Sequence, residues 1–238
     1  MSIRNLDYLF QPRSVAVIGA SERPHSVGST VLANLLAGGF AGPVMPVNPK
    51  YRTLAGREVA HHVRQLPQVP DLAVLCTPPH TVPGLIAELG ALGCRAAVVI
   101  TAGLDAAQKA AMLAAARPYL LRILGPNGVG LLVPGIGLNA SFAHLPALPG
   151  KLAFVSQSGA MVTGVLDWAC ARRIGFSRFV SLGEGSDVDF GDVLDYLAGD
   201  AATQAILLYM EDVRAARKFM SAARAAARNK PVMVVKAG

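Results

Sequence analysis

The sequence predicts an α/β protein: a doubly wound parallel sheet followed by a smaller three-layer α/β domain. Three observations carry that prediction. Apolar, β-branched runs ending in glycine, proline or asparagine alternate with alanine-rich segments of helical period, the pattern of strands buried on both faces beneath helices. Apolar residues make up 53% of the 238 residues and charged residues 16%, enough for one large core or two modest ones. The alternation also breaks between Leu131 and Gly150, a stretch rich in Gly and Pro, and then resumes. We therefore expect a first domain over residues 1–130, an interdomain crossing over 131–150 and a second domain over 151–238.

Taken in order, Met1–Arg13 is a lead-in whose Leu6, Leu9 and Phe10 form an apolar stripe. A first strand, Ser14–Ala20, is rich in β-branched residues. The helix from about Val27 to Ala37 stops at Gly38–Gly39. Strand Val44–Val47 ends in Asn48–Pro49–Lys50, and strand Leu72–Thr77 is closed by Pro78–Pro79. The helix from about Thr81 to Leu92 carries Pro83 in its first turn, where a missing N–H does no harm. Strand Ala96–Thr101, a helix over about Ala106–Arg117 and strand Ile123–Leu124 follow, the last running into Gly125–Pro126–Asn127–Gly128. After the crossing come strand Leu152–Ser156, helix Ala160–Arg173, strand Arg178–Leu182, helix Gly191–Leu197, strand Ala205–Met210, helix Ala215–Arg228 and strand Val232–Val235. The chain stops there without a covering helix, so we expect it to be the front portion of a longer polypeptide, or one subunit of a complex.

Composition narrows the function. No apolar run is long enough to span a bilayer, and the N-terminal MSIRNLDYLF lacks the apolar core of a signal peptide. Cys76, Cys94 and Cys170 lie far apart without C-x-x-C spacing, which argues against a disulfide framework or zinc site and for a reducing cytoplasm. The net charge of +7 comes from singly scattered residues without interleaved aromatics. That suits a diffuse positive field around a phosphate-bearing small molecule better than a nucleic-acid surface.

The turn after the first strand is the leading site. Gly19, Ser21, Ser26, Val27 and Gly28 carry the chain from strand to helix, where free N–H groups and the helix dipole attract phosphate. This is not the dinucleotide fingerprint: G-x-G-x-x-G is absent, as is the acidic residue after the second strand that would hold a ribose diol. Asn48 and Lys50 stand there instead, and a lysine at that edge invites a ligand with an extra ribose phosphate, coenzyme A (CoA) or NADP. Thr77, Pro78, Thr101 and Asn127 fall at the carboxyl ends of other strands, the ligand side of an open sheet.

In the second half, Ser156–Gln157–Ser158–Gly159 joins strand to helix without the glycine spacing of a nucleophile elbow. It reads as a phosphate cradle formed by Ser156, Ser158 and Gly159. Glu211 ends a strand on the same sheet edge and could orient an imidazole there. Asp187, Asp189 and Asp192 precede a helix, so capping is the preferred reading over metal binding. The five histidines show no ligand spacing, and none reads as a catalytic base.

These residues resemble a known family. Ser14–Ser21 with Ser26–Val27–Gly28, Val47–Lys50, Gly125–Asn127, Val155–Gly159, Asp187–Asp192 and Ile206–Glu211, in that order, resemble the NDP-forming acyl-CoA synthetases, relatives of the succinyl-CoA synthetase α subunit. Gly137–Phe142, Leu166–Ala169 and Arg228–Pro231 are closer to bacterial protein lysine acetyltransferases, which fuse a synthetase-like body to a GNAT domain.

The resemblance implies a Rossmann-like CoA-binding domain followed by a flavodoxin-like ligase domain, with CoA or acyl-CoA as cofactor. It implies that the Ser158–Gly159 helix start receives a phosphoryl group and that Glu211 holds a phosphohistidine lying outside these residues. ATP or ADP and Mg would act only through other domains, an ATP-grasp domain or β subunit, in an oligomer. His25, Gly128 and Glu184–Gly185 depart from the pattern, standing where the family has a small residue, a cysteine and an Asn-containing turn. Two rivals remain from other classes: an NADP-dependent reductase, and a non-catalytic assembly or regulatory subunit.

Overall fold

The computed structural model describes residues 3–237. Helix α1 (Asp7–Phe10) leads into β1 (Val15–Ile18), α2 (Val27–Ala37) and β2 (Val44–Val47), followed by a short hairpin of β3 (Thr53–Leu54) and β4 (Arg57–Glu58) that the sequence reading did not foresee. Then come β5 (Leu72–Leu75), α3 (Val82–Leu92), β6 (Ala96–Val99), α4 (Ala106–Ala116) and β7 (Arg122–Leu124). The first sheet is parallel throughout, in the order β2-β1-β5-β6-β7. Every residue of β1, β2, β5 and β6 is buried, which explains why these strands read as unbroken apolar runs. The winding reverses at β1, which has β2 on one side and β5 on the other. A crevice opens at the carboxyl ends of strands where such a reversal occurs.

The expected crossing is more ordered than the sequence reading held. Within it lie β8 (Gly130–Val133) and β9 (Leu138–Ser141), paired antiparallel, with β8 also antiparallel to a strand of the second sheet. The remaining elements are β10 (Leu148–Ser156), α5 (Gly159–Ala171), β11 (Gly175–Ser181), α6 (Phe190–Gly199), β12 (Ala205–Met210), α7 (Ala216–Ala227) and β13 (Val232–Lys236). The second sheet runs β13-β12-β10-β11-β8-β9. Here too the winding reverses, at β10, between β11 and β12.

Asp189 caps α6 and exchanges hydrogen bonds with Asp192, each side chain accepting from the other residue's backbone N–H. Asp189 and Asp192 therefore form a reciprocal cap, whereas Asp187 does not cap the helix and accepts instead from the Ile123 N–H at 2.8 Å.

The two sheets share one buried apolar cluster, containing residues such as Val17 and Val74 together with Val155 and Leu197. Polar contacts join them as well. Asn34 of α2 donates to the carbonyls of Ser141 and Ala143, each at 2.9 Å. Arg122 of β7 pairs with Asp187 at 3.0 Å and Asp192 at 3.2 Å, and Lys109 of α4 with Glu184 at 2.8 Å. Phe10 stacks on Tyr196 with ring centroids 4.5 Å apart.

Candidate functional site

Both reversal points face a single cleft of about 1370 Å³. On the first sheet, Gly19 ends β1 at φ +87°, in the left-handed region, with its α-carbon side pressed against the Cys76 carbonyl. A β-carbon on Gly28 would lie 2.0 Å from the Gly19 carbonyl oxygen. Only glycine lets the first turn of α2 approach β1 this closely. Ser26 is the N-cap of α2, its hydroxyl accepting from the Ser29 N–H. The loop therefore delivers the start of the helix to the cleft floor.

Asn48 donates to the Ala20 carbonyl at 2.7 Å and accepts from the Lys50 N–H at 2.9 Å, tying the end of β2 to the end of β1. Lys50 is exposed at the rim. The Thr81 hydroxyl donates to that of Thr77 at 2.9 Å, and the Thr101 hydroxyl to the Thr77 carbonyl at 2.8 Å. Asn127 adopts φ +60° and its N–H reaches the Thr101 carbonyl at 3.1 Å. Its left-handed turn and its place in the cleft wall go together.

The opposite wall comes from the second sheet. Ser158 caps α5, accepting from the Met161 N–H, and the atom nearest a β-carbon on Gly159 would be a methyl of Val129 at 3.4 Å. Glu211, exposed, follows β12 on the same edge.

The structure thus brings Gly19, Ser21, Ser26, Val27, Gly28, Lys50, Thr77, Pro78, Thr101, Asn127, Ser158, Gly159 and Glu211 to one cleft. Ser156 is the exception and corrects the sequence reading. It is fully buried, and its hydroxyl is used inside the turn, donating to the Ser158 carbonyl and accepting from the Ser158 N–H, each at 3.0 Å. It shapes the cradle without facing it.

Sequence reasoning missed several lining residues. Arg23 and Tyr51 join Lys50 at the mouth, with the Tyr51 and Ser21 hydroxyls 3.4 Å apart. Arg23 lies in the loop that was read for its glycines and serines, where a cation close to a phosphate turn was itself a signal. His25, His61 and His62 also line the cleft; nothing in their spacing marked them. Cys76 sits in the wall, and burial pushes its thiol pKa up to about 12, so it stays protonated and unreactive near neutrality. Among the described residues no group of three or more His, Cys, Asp or Glu is placed to hold a metal ion, and no helix is long and apolar enough to cross a membrane.

Comparison with known proteins agrees with this architecture. Residues 13–134 match a CoA-binding domain family, and residues 149–238 the succinyl-CoA-ligase-like flavodoxin domain. The chain is 41% identical to an ADP-forming acetate–CoA ligase I of Archaeoglobus fulgidus, over 98% of this chain and 35% of that protein. It is 38% identical to the α subunit of ADP-forming acetate–CoA ligase I of Pyrococcus furiosus, over 98% of this chain and 53% of the relative. A solved acetyl-coenzyme A synthetase 1 of Ca. Korarchaeum cryptofilum, in complex with phosphate and ADP, superposes with a TM-score of 0.94 at 37% identity, covering 98% of this chain and 52% of that one. The chain therefore spans from about a third to about half the length of these relatives. Two family matches in sequence, on two sheets that share one cleft, make the chain a member of the CoA-binding domain family over residues 13–134, followed over residues 149–238 by a succinyl-CoA-ligase-like flavodoxin domain.

Proposed function

We propose that the chain is the CoA- and acyl-CoA-binding portion of an NDP-forming acyl-CoA synthetase whose phosphohistidine chemistry is completed elsewhere. One observation carries the reading: a glycine-lined helix start and a second, serine-capped helix start open from different sheets onto the same cleft. The first suits the diphosphate of CoA, with Lys50 and Arg23 at the mouth for its remaining phosphate. The second suits inorganic phosphate or a phosphoryl group held next to the thioester.

In this reading a phosphate oxygen attacks the thioester carbon. The C–S bond breaks, the CoA thiolate leaves and takes up a proton, and acyl phosphate forms. The phosphoryl group then passes to a histidine beyond the described residues, releasing the acid, and from there to NDP to give NTP. Residues of this chain supply the N–H groups of α5 for the phosphoryl oxygens and the Glu211 carboxylate to orient the imidazole. An ATP-grasp domain, in the same chain or a β subunit, would bind the nucleotide. With three free cysteines, a reducing cytoplasm is the compartment we assign. Neither the reductase nor the acetyltransferase alternative draws support from the relatives described above.

Calorimetry with CoA, acetyl-CoA and NADP in parallel tests the assignment. Saturable binding of both CoA species is expected, with affinity falling tenfold or more in Lys50→Glu. Preference for NADP would refute it.

A further inference from the structure

We propose that Gln157 is a positioning residue for phosphoryl transfer: its side-chain amide ties the backbone that carries Glu211 to the phosphate cradle, so that carboxylate and cradle keep a fixed separation. The inference rests on the role assigned to Glu211 above. Gln157 lies between Ser156 and Ser158, and its own N–H donates to the Tyr209 carbonyl at 3.2 Å, extending the ladder between β10 and β12 by one rung. The side chain then crosses to the loop after β12. Its Oε1 accepts from the Glu211 N–H at 2.7 Å and from the Asp212 N–H at 3.0 Å, while its Nε2 donates to the Asp212 carbonyl at 3.0 Å.

Three of the four hydrogen bonds that a primary amide can make are spent on two consecutive residues. Two N–H groups on one side and a carbonyl on the other fix which end of the amide is oxygen. At the far end of the loop Ala215, the N-cap of α7, makes no side-chain cap, and Val213 packs against the apolar core. Glu211 is itself exposed. The direction of its carboxylate therefore depends on its backbone, and its backbone on Gln157.

Gln157 also walls a small hollow of about 20 Å³ behind the loop. Truncation to alanine would remove packing along with hydrogen bonds, so Gln157→Met, which keeps the length and removes the bonds, is the informative change.

The test uses the complete synthetase, with its histidine-bearing segment and nucleotide-binding partner. Three quantities are measured: CoA affinity, formation of acyl phosphate from acetyl-CoA and phosphate, and transfer of labelled phosphate from acetyl phosphate to histidine. Gln157→Met is expected to slow histidine labelling tenfold or more, with CoA affinity and acyl phosphate formation within twofold of wild type. Glu211→Gln is expected to slow the same step, and the double variant to be no slower than Glu211→Gln alone. Wild-type labelling by Gln157→Met, an equal loss in all three measurements, or independent effects that multiply in the double variant would each overturn the proposal. Wild-type labelling by Glu211→Gln would instead overturn the role given to Glu211. Should Gln157→Met not fold, Gln157→Leu, which also removes all three bonds, replaces it in the cycle; a slowing of labelling that disappears in the Glu211→Gln background supports the link, and labelling at the wild-type rate overturns it.

Discussion

Gly28 shows how much of the site rests on one missing side chain. Alanine is favoured over glycine inside a helix by about 1 kcal/mol, so propensity alone would make Gly28→Ala stabilising. Its β-carbon, however, would stand 2.0 Å from the Gly19 carbonyl oxygen, a distance that backbone must move to relieve. Overpacking of this kind costs about 1–3 kcal/mol, and the movement carries the start of α2 away from the cleft. We expect Gly28→Ala to lower the melting temperature despite its better propensity and to weaken CoA binding at least tenfold, as read by thermal denaturation and calorimetry. Cys94 gives a second residue-level expectation. It is fully buried, and burial pushes its thiol pKa from 9.0 up to about 12. Between those values the unfolded chain has lost a proton that the folded chain retains, so stability falls as pH rises, by about 1.4 kcal/mol per pH unit. Urea unfolding from pH 9 to 11 should show a shallower decline in Cys94→Ala than in wild type.

At the level of elements, the strands most legible in the sequence were short apolar runs closed by turn residues. Val44–Val47 and Ala205–Met210 were read with the bounds the structure shows, because a short apolar run between turn residues has few other readings. The hairpin of β8 and β9 was not legible. Its strands have four residues each, all buried, so they lack the alternation expected of antiparallel pairs, and glycines and prolines around them resemble a linker. Gln157 escaped notice for a related reason: its partners, Glu211 and Asp212, are 54 and 55 residues away, and no local pattern reports such a contact. The cap of α6 was legible as a cap, but its reinforcement was not. Lys218 of α7 reaches Asp189 at 2.9 Å and Asp192 at 2.7 Å. Burial by itself would lower the Lys218 pKa, yet the hydrogen bonds and charges of the two carboxylates outweigh it and raise the pKa above 10.5. Below pH 10.5 the lysine is charged in folded and unfolded chains alike, so the contribution is complete there and is lost as pH rises through the folded value. Lys218→Met should therefore melt lower at pH 7 by at least about 2–4 °C, the equivalent of 1 kcal/mol in a chain of this size. The gap from wild type should narrow above pH 10.5; a gap independent of pH would rule out the ion pair as its source.

For the molecule as a whole, the question is whether two family domains behave as two bodies or one. Their shared apolar cluster and the pairs Arg122–Asp187, Arg122–Asp192 and Lys109–Glu184 all cross the boundary between the sheets. The cleft also needs both sheets, since its two helix starts come from different ones. Neither sheet can unfold without exposing part of the other's core, so cooperativity should extend across the chain. Scanning calorimetry is expected to give one transition, with calorimetric and van't Hoff enthalpies in agreement. A ligand that binds only the folded chain adds about 2.7 kcal/mol at a hundred times its Kd, which corresponds to about 5–10 °C here. CoA should accordingly move the entire peak by that amount. If the peak instead splits, with the CoA-binding half rising and the other half unmoved, the sheets are energetically separate and the cleft between them is no pre-formed site.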